Sequence, residues 1–174
     1  QHSALENERK ANRLLKHRFL NPIRAANETI TMNAGQQYNI RLTSLNSLSA
    51  YLIFHIRLIS NSVDNFSRID AFELLDENNV IVGLKTTHEQ HRQLISQNMP
   101  GYLATLNQNI YIVPFCFTDL ANRGIQSGFY AMSTKEQLRI YTTAGHTNGT
   151  YQVNIYSYDY NTLIVDNGVA MLSK

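Results

Sequence analysis

An all-β sandwich with one short inter-strand helix is the fold class this sequence predicts, and three observations predict it. Stretches in which apolar and polar residues alternate recur from residue 27 to the end, with the two-residue period of strands. Turn signals built from Gly, Asn and Asp separate them at spacings typical of a sandwich. Crossover helices are missing, which argues against a parallel α/β architecture. A chain of 174 residues is about one domain and is long enough to bury a core.

The first twenty residues differ from the rest. Ser3-Ala-Leu-Glu6 reads as a capping box, in which the Ser oxygen accepts from a backbone N–H one turn on and the Glu reaches back. Arg9, Lys10, Arg13, Lys16, His17 and Arg18 follow, with only Leu5, Leu14, Leu15 and Phe19 as a thin apolar stripe. Asn21-Pro22 ends the segment. Residues 1–22 are therefore expected to form a basic helical arm outside the domain. It is suited to reach a neighbouring subunit or an anionic surface such as lipid headgroups.

Residues 23–161 carry the strands. Thr29–Met32 and Tyr38–Leu42 alternate, and Gly35 marks a bend between them. In Tyr51–Ile59, Leu52, Phe54, Ile56 and Leu58 share one face. Ile69–Leu75 and Val80–Leu84 flank Asp76-Glu-Asn-Asn79, a hairpin loop. Thr86 and Glu89 form a second capping box, Leu94 and Ile95 follow at helical spacing, and Pro100-Gly101 closes that helix. Asn109–Phe117 is a strand whose Pro114 belongs at an edge or bulge. Phe129–Met132, Gln137–Tyr141 and Tyr151–Tyr158 complete the set, and residues 162–174 are a C-terminal tail. About eight strands with a helix and long loops between them fit a single two-sheet jelly roll better than an up-and-down barrel.

The bulk properties narrow the function classes. The hydrophobic fraction is 43% and the charged fraction only 16%, so Asn, Ser, Thr and Gln supply much of the polarity. That balance suits a surface covered by neighbours, or equally a nucleotide composition bias in the source organism. A net charge of +2 gives no global argument for nucleic acid. The single cysteine, Cys116, can make no internal disulfide and reads as a small core residue. No apolar run approaches the roughly 18 residues of a membrane span, and no secretory signal is visible. Asn27-Glu-Thr, Asn65-Phe-Ser and Asn148-Gly-Thr match the glycosylation sequon, a frequent coincidence in an Asn-rich chain.

No catalytic constellation emerges. His88-Glu-Gln-His91 has its two histidines three apart, not the four of the zinc-protease motif, and reads as a surface helix turn. No metal or cofactor is called for. The carboxylates are scattered, and Asp70 and Glu73 sit at odd spacing on one strand, so they face opposite sides. No phosphate loop and no nucleophile elbow occurs. Tyrosine is the enriched aromatic, with ten Tyr and no Trp. Tyr156, Tyr158 and Tyr160 share one face of the last strand, opposite Tyr151, Val153 and Ile155. That face is either half-buried or an interface, where Tyr supplies area and a hydroxyl at low entropy cost.

Tyr111-Ile-Val-Pro-Phe-Cys-Phe117, then Gly128…Ser133…Leu138-Arg-Ile140, then Tyr160-Asn-Thr-Leu163…Gly168…Leu172-Ser173 carry a likeness. They resemble the end of the jelly roll in the vertical jelly-roll capsid lineage of tailless icosahedral DNA viruses. That lineage includes membrane-containing bacteriophages and large eukaryotic DNA viruses. The likeness covers residues 109–174 by motif, and residues 27–84 by strand order. Its best-known members carry two jelly rolls in one chain, whereas this chain holds one. The resemblance implies a non-enzymatic virion shell protein whose partners are copies of itself and other capsid proteins. It further implies an internal viral membrane near the basic arm, and no specific nucleic acid. The expected interface residues are Arg9, Arg13, Lys16, Arg18, Tyr156, Tyr158, Tyr160 and Leu163. The alternative is a glycan- or receptor-binding β-sandwich of a vertex, spike or adhesin.

Overall fold

A computed structural model describes residues 15–43, 47–76, 85–98, 109–115, 128–133, 135–166 and 169–173. Within them lie β1 (Leu15–Met32), β2 (Gln37–Arg41), β3 (Ser47–Leu58), β4 (Ala71–Leu75) and β5 (Thr86–Thr87). The helix α1 (His88–Asn98) follows, then β6 (Tyr111–Pro114), β7 (Tyr130–Met132), β8 (Gln137–Tyr141), β9 (Gly149–Asp166) and β10 (Val169–Ser173).

The pairing is nested. β1 pairs with β9, β2 with β8, β3 with β6 and β4 with β5, all antiparallel. A long antiparallel ribbon that folds over itself in this way is a jelly roll. Its two faces are sheets of order β1-β9-β3-β6 and β2-β8-β4-β5. β7 adds to the start of β3, and β10 adds to the end of β9. The described residues thus hold ten strands where about eight were expected.

The alternation seen in the sequence sets the core. Leu52, Phe54 and Ile56 of β3, Tyr151, Val153 and Ile155 of β9, and Phe72, Leu74, Leu138 and Ile140 of the facing sheet form one buried cluster. Phe54 stacks on Tyr111 at 5.2 Å and meets the edge of Phe72 at the same distance. Two turns lie side by side at one end, which fixes how the first and last strands meet. Gly35, at φ 66°, donates to the Thr143 carbonyl at 3.0 Å. Thr142 accepts from the Gln36 N–H and donates to the Asn33 carbonyl. The left-handed φ explains why the expected bend falls on a glycine.

Three expectations need correction. The helix predicted over Ser3–Phe19 does not reach its own end. Leu15–Phe19 belong to β1, in unbroken register with Asn161–Val165, and Ser3–Leu14 lie outside the described residues. A thin helical stripe loses there to a full antiparallel ladder, and Pro22 is tolerated because β1 is the outermost strand of its sheet. Residues 162–173 are not a loose tail either. β9 runs on to Asp166, and β10 folds back on it. The helix α1 begins one residue later than predicted, because Thr86 and Thr87 first pair with Phe72 and Ala71. Its capping box is therefore Thr87 with Gln90, each side chain bonding the other's backbone N–H at 3.2 and 2.9 Å. The strand expected at Val80–Leu84, its hairpin loop beyond Asp76, and Cys116 lie outside the described residues.

Candidate assembly surfaces

β9 is about 60 Å long at the rise of an extended strand, against about 17 Å for the five-residue strands of the facing sheet. The two sheets therefore cover each other over only part of β9. β1 holds one side of β9 throughout; on the other side β3 ends its pairing at Asp159, and β10 takes over from Thr162. The last part of β9, the first part of β1 and β10 form a three-stranded ribbon at one end of the sheet.

Within this ribbon β10 exposes apolar side chains. Val169, Met171 and Leu172 are 61%, 52% and 67% exposed. Met171 and Leu172 are neighbours in a strand and so point to opposite faces. Phe129 and Leu48 are exposed at the ribbon's base, beside the contact that Tyr160 makes through its hydroxyl with the Gly128 carbonyl at 3.4 Å. Five of the eight large hydrophobic residues exposed among the described residues thus gather at this end, the others being Ile59, Val63 and Leu94.

Of the expected interface residues, Lys16, Arg18 and Leu163 have register positions in this ribbon, whereas Tyr156 and Tyr158 lie before it, where β9 still pairs with β3. Tyr156 is half-buried, with the Arg24 guanidinium 5.7 Å above its ring and hydrogen-bonded to its hydroxyl at 3.3 Å. Tyr158 stacks on Tyr51 at 4.6 Å. Leu163 pairs with His17 on one side and Leu172 on the other. Lys16 and Arg18 take the register positions opposite Ile164 and Thr162. Arg9 and Arg13 lie outside the described residues. The face split predicted for β9 is present: Tyr151, Val153 and Ile155 are buried, while the three tyrosines opposite are half-buried. The exposure of β10 was missed, since a segment read as a tail has no second face to compare.

Where the ribbon leaves the sandwich, the inner face of the sheet turns polar. Ser49, Ser157 and Asp159 are buried together. The Ser49 hydroxyl donates to Asp159 Oδ1 at 2.7 Å and lies 2.7 Å from the Ser157 hydroxyl, which also donates to Asp159. On the outer face of the other sheet, Glu73 is buried and accepts from Arg139 at 2.9 Å and from the Tyr141 hydroxyl. Asp70, by contrast, precedes β4 and is exposed, so the two carboxylates do not share one strand.

His88 and His91 do not lie on a surface helix turn. Both are buried, because α1 lies across the side of the sandwich between β5 and β6, the outermost strands of the two sheets. Ile95 packs on Ile112, Tyr51 and Ile53. His88 Nδ1 is 2.8 Å from the Tyr111 hydroxyl, which accepts from the Ile69 N–H at 3.1 Å. The hydroxyl donates to His88 in the tautomer whose Nδ1 carries no proton. Burial pushes the Tyr111 hydroxyl up to about 12 and holds the His88 imidazole below its ordinary range. No group of three or more His, Cys, Asp or Glu side chains suited to a metal ion occurs among the described residues. Replacing Tyr111 with Phe keeps the ring but strands the Ile69 N–H and His88 Nδ1. The expected loss is about 1–3 kcal/mol in urea unfolding, against about 0.5–1 kcal/mol for Tyr38→Phe, whose hydroxyl accepts from the Asn33 N–H at 2.7 Å where water can replace it.

The fold that this nested two-sheet topology defines is the jelly roll, and solved structures of virus capsid proteins share it. The chain superposes over 98% of its length on PBCV-1 VP54, as fitted into a cryo-EM reconstruction of the virophage Sputnik, with a TM-score of 0.68 and 16% identity. It matches a quasi-atomic model of the PBCV-1 virus capsid over 98% of its length, with a TM-score of 0.67 and 17% identity. At these identities the likeness is one of fold. The chain covers 54% of each of those chains, about half their length. No protein-family model and no curated protein matches it.

Proposed function

We propose that this chain is a structural virion protein, a capsid shell subunit that assembles through lateral contacts of its jelly roll. The observation that carries the reading is the combination of a capsid-type jelly roll with an apolar ribbon left uncovered at one end. Exposed apolar area of this kind marks a protein contact more often than a monomer's free surface. The ribbon residues Leu163, Met171 and Leu172 and the tyrosines Tyr156, Tyr158 and Tyr160 would meet copies of the same chain and other capsid proteins. Oligomers of this kind close by rotation, and larger arrays follow from heterologous contacts. The role is non-enzymatic, and its place is the virion shell.

The basic segment is the second contact. Lys16 and Arg18 sit in the ribbon, and Arg9 and Arg13 precede it in sequence. Together they suit an anionic surface such as the headgroups of an internal viral membrane. No helix among the described residues is long and apolar enough to cross a membrane. Light scattering on the full chain and on a variant lacking residues 1–14 tests both parts. The full chain is expected as a closed oligomer. The truncated chain is expected to keep its folded β spectrum, because it retains all of β1, and to lose either higher assembly or binding to anionic vesicles. A full chain that stays monomeric at high concentration contradicts the shell reading. A truncation without effect on assembly or vesicle binding contradicts the role of the arm.

A further inference from the structure

The histidines of α1 hold the helix on the outer side of β6. β6 is the last strand of its sheet, so one side of it has no strand partner among the described residues. The outward N–H groups of such a strand must be covered or bonded. The Ile112 N–H donates to His91 Nε2 at 2.9 Å. Accepting requires that Nε2 carry no proton, so the ring proton sits on Nδ1. His91 Nδ1 is itself buried without a hydrogen-bond partner. A second proton on this ring would set two donors against each other and would leave a cation beside the rings of Tyr111 at 5.2 Å and Phe72 at 5.8 Å.

The surrounding charges give that cation little support. The loop before β4 contributes Arg68, which is paired with Glu89 at 3.0 Å. The helix contributes Glu89, Arg92 and His88. β5 contributes only Thr86 and Thr87, and the described residues of β6 carry no charge. β4 presents Phe72, while its Glu73 is held by Arg139 on the outer face of the sheet. Arg68 and Arg92 oppose a charge on His88, Glu89 favours one, and a charge on His88 opposes one on His91. His88 is the more tolerant of the two, since Tyr111 could accept from it after giving up its own donation.

We propose that His91 is an acid-operated latch: neutral, it locks α1 onto the edge of β6, and protonated, it releases the helix and bares that edge with Ile95 and Ile112. The sign follows from linkage. Burial first, and then the His88 charge, lower the latched imidazole from 6.5 to about 4. The released ring returns to its ordinary range. Between those values the released state binds more protons, so release becomes easier as pH falls through that window.

Amide hydrogen exchange on the full chain reads the latch directly. The protection factor of the Ile112 amide is expected to fall roughly 20- to 30-fold from pH 7 to pH 5, while that of Val153 in the sheet centre changes little. His91→Gln keeps an amide oxygen as acceptor and removes the titration, so its Ile112 protection should be nearly flat over the same range. A flat profile in the unmodified chain, or an equal fall in His91→Gln, overturns the proposal. Should His91→Gln not fold, an NMR titration of the unmodified chain decides: a His91 midpoint near 4 supports the latch, and one at or above 6.5 overturns it. The test reads a contact within one subunit, between α1 and β6, and stands apart from the shell reading.

Discussion

Replacing Phe54 with alanine is expected to lower the stability of the subunit by about 3–5 kcal/mol. Phe54 is fully buried and touches two aromatic partners, Tyr111 and Phe72. Those partners belong to β6 and β4, one in each sheet, so the cavity opens across the layer that joins the sandwich. Aromatic rings on rigid strands cannot collapse far into the space, which puts the loss at the upper end of the range. Natural domains are stable by only about 5–15 kcal/mol, so the variant should melt roughly 10 °C lower or fail to fold at growth temperature. Phe54→Leu retains most of the volume and should cost less than half as much. Differential scanning calorimetry of both variants checks the ranking, and equal melting points would contradict this account of the core.

The second large effect falls on association and not on folding. Met171→Glu with Leu172→Glu places one carboxylate on each face of β10. Both side chains are exposed in the single subunit, so the melting temperature of the monomer should stay within a few degrees. At a contact, each change buries an unpaired charge and removes an apolar anchor, a loss of at least about tenfold in affinity. Sedimentation velocity should then show monomers at concentrations where the unmodified chain is oligomeric. Val63→Glu serves as control, since its side chain is exposed in the loop after β3, whose end pairs with Tyr151 at the opposite end of β9 from the ribbon. An unchanged oligomer would move the contact elsewhere on the subunit.

Much of the sandwich was legible because strand parity is local. Leu52, Phe54 and Ile56, and Tyr151, Val153 and Ile155, declare their faces by spacing alone, and each set is buried as that spacing requires. Gly35 and Pro114 likewise mark a turn and an outermost strand by their backbone limits. What was illegible depended on partners distant in sequence. Leu15–Phe19 look helical in isolation and become strand because Asn161–Val165 offer a ladder more than 140 residues away. The same extension of β9 gives residues 169–173 a strand to fold back on, which no local pattern announces. His88 and His91 sit in a polar stretch and read as solvated; only the position of Tyr111 and Ile112, in the next element along the chain, shows that they are buried.

The candidate surface divides in the same way. The tyrosines of β9 could be placed on one face from their spacing, whereas the apolar exposure of Met171 and Leu172 could not, since it depends on how far β9 outruns the facing sheet. The low charge of the chain pointed to covered surface without saying which surface. In the proposed reading, the ribbon is where subunits meet.

A cryo-EM reconstruction of the assembled protein tests the central claim most directly. The account predicts jelly rolls standing side by side in closed oligomers, with residues 160–173 and the start of β1 buried between neighbours. Isolated subunits, or oligomers in which Val169, Met171 and Leu172 remain in solvent, would contradict it.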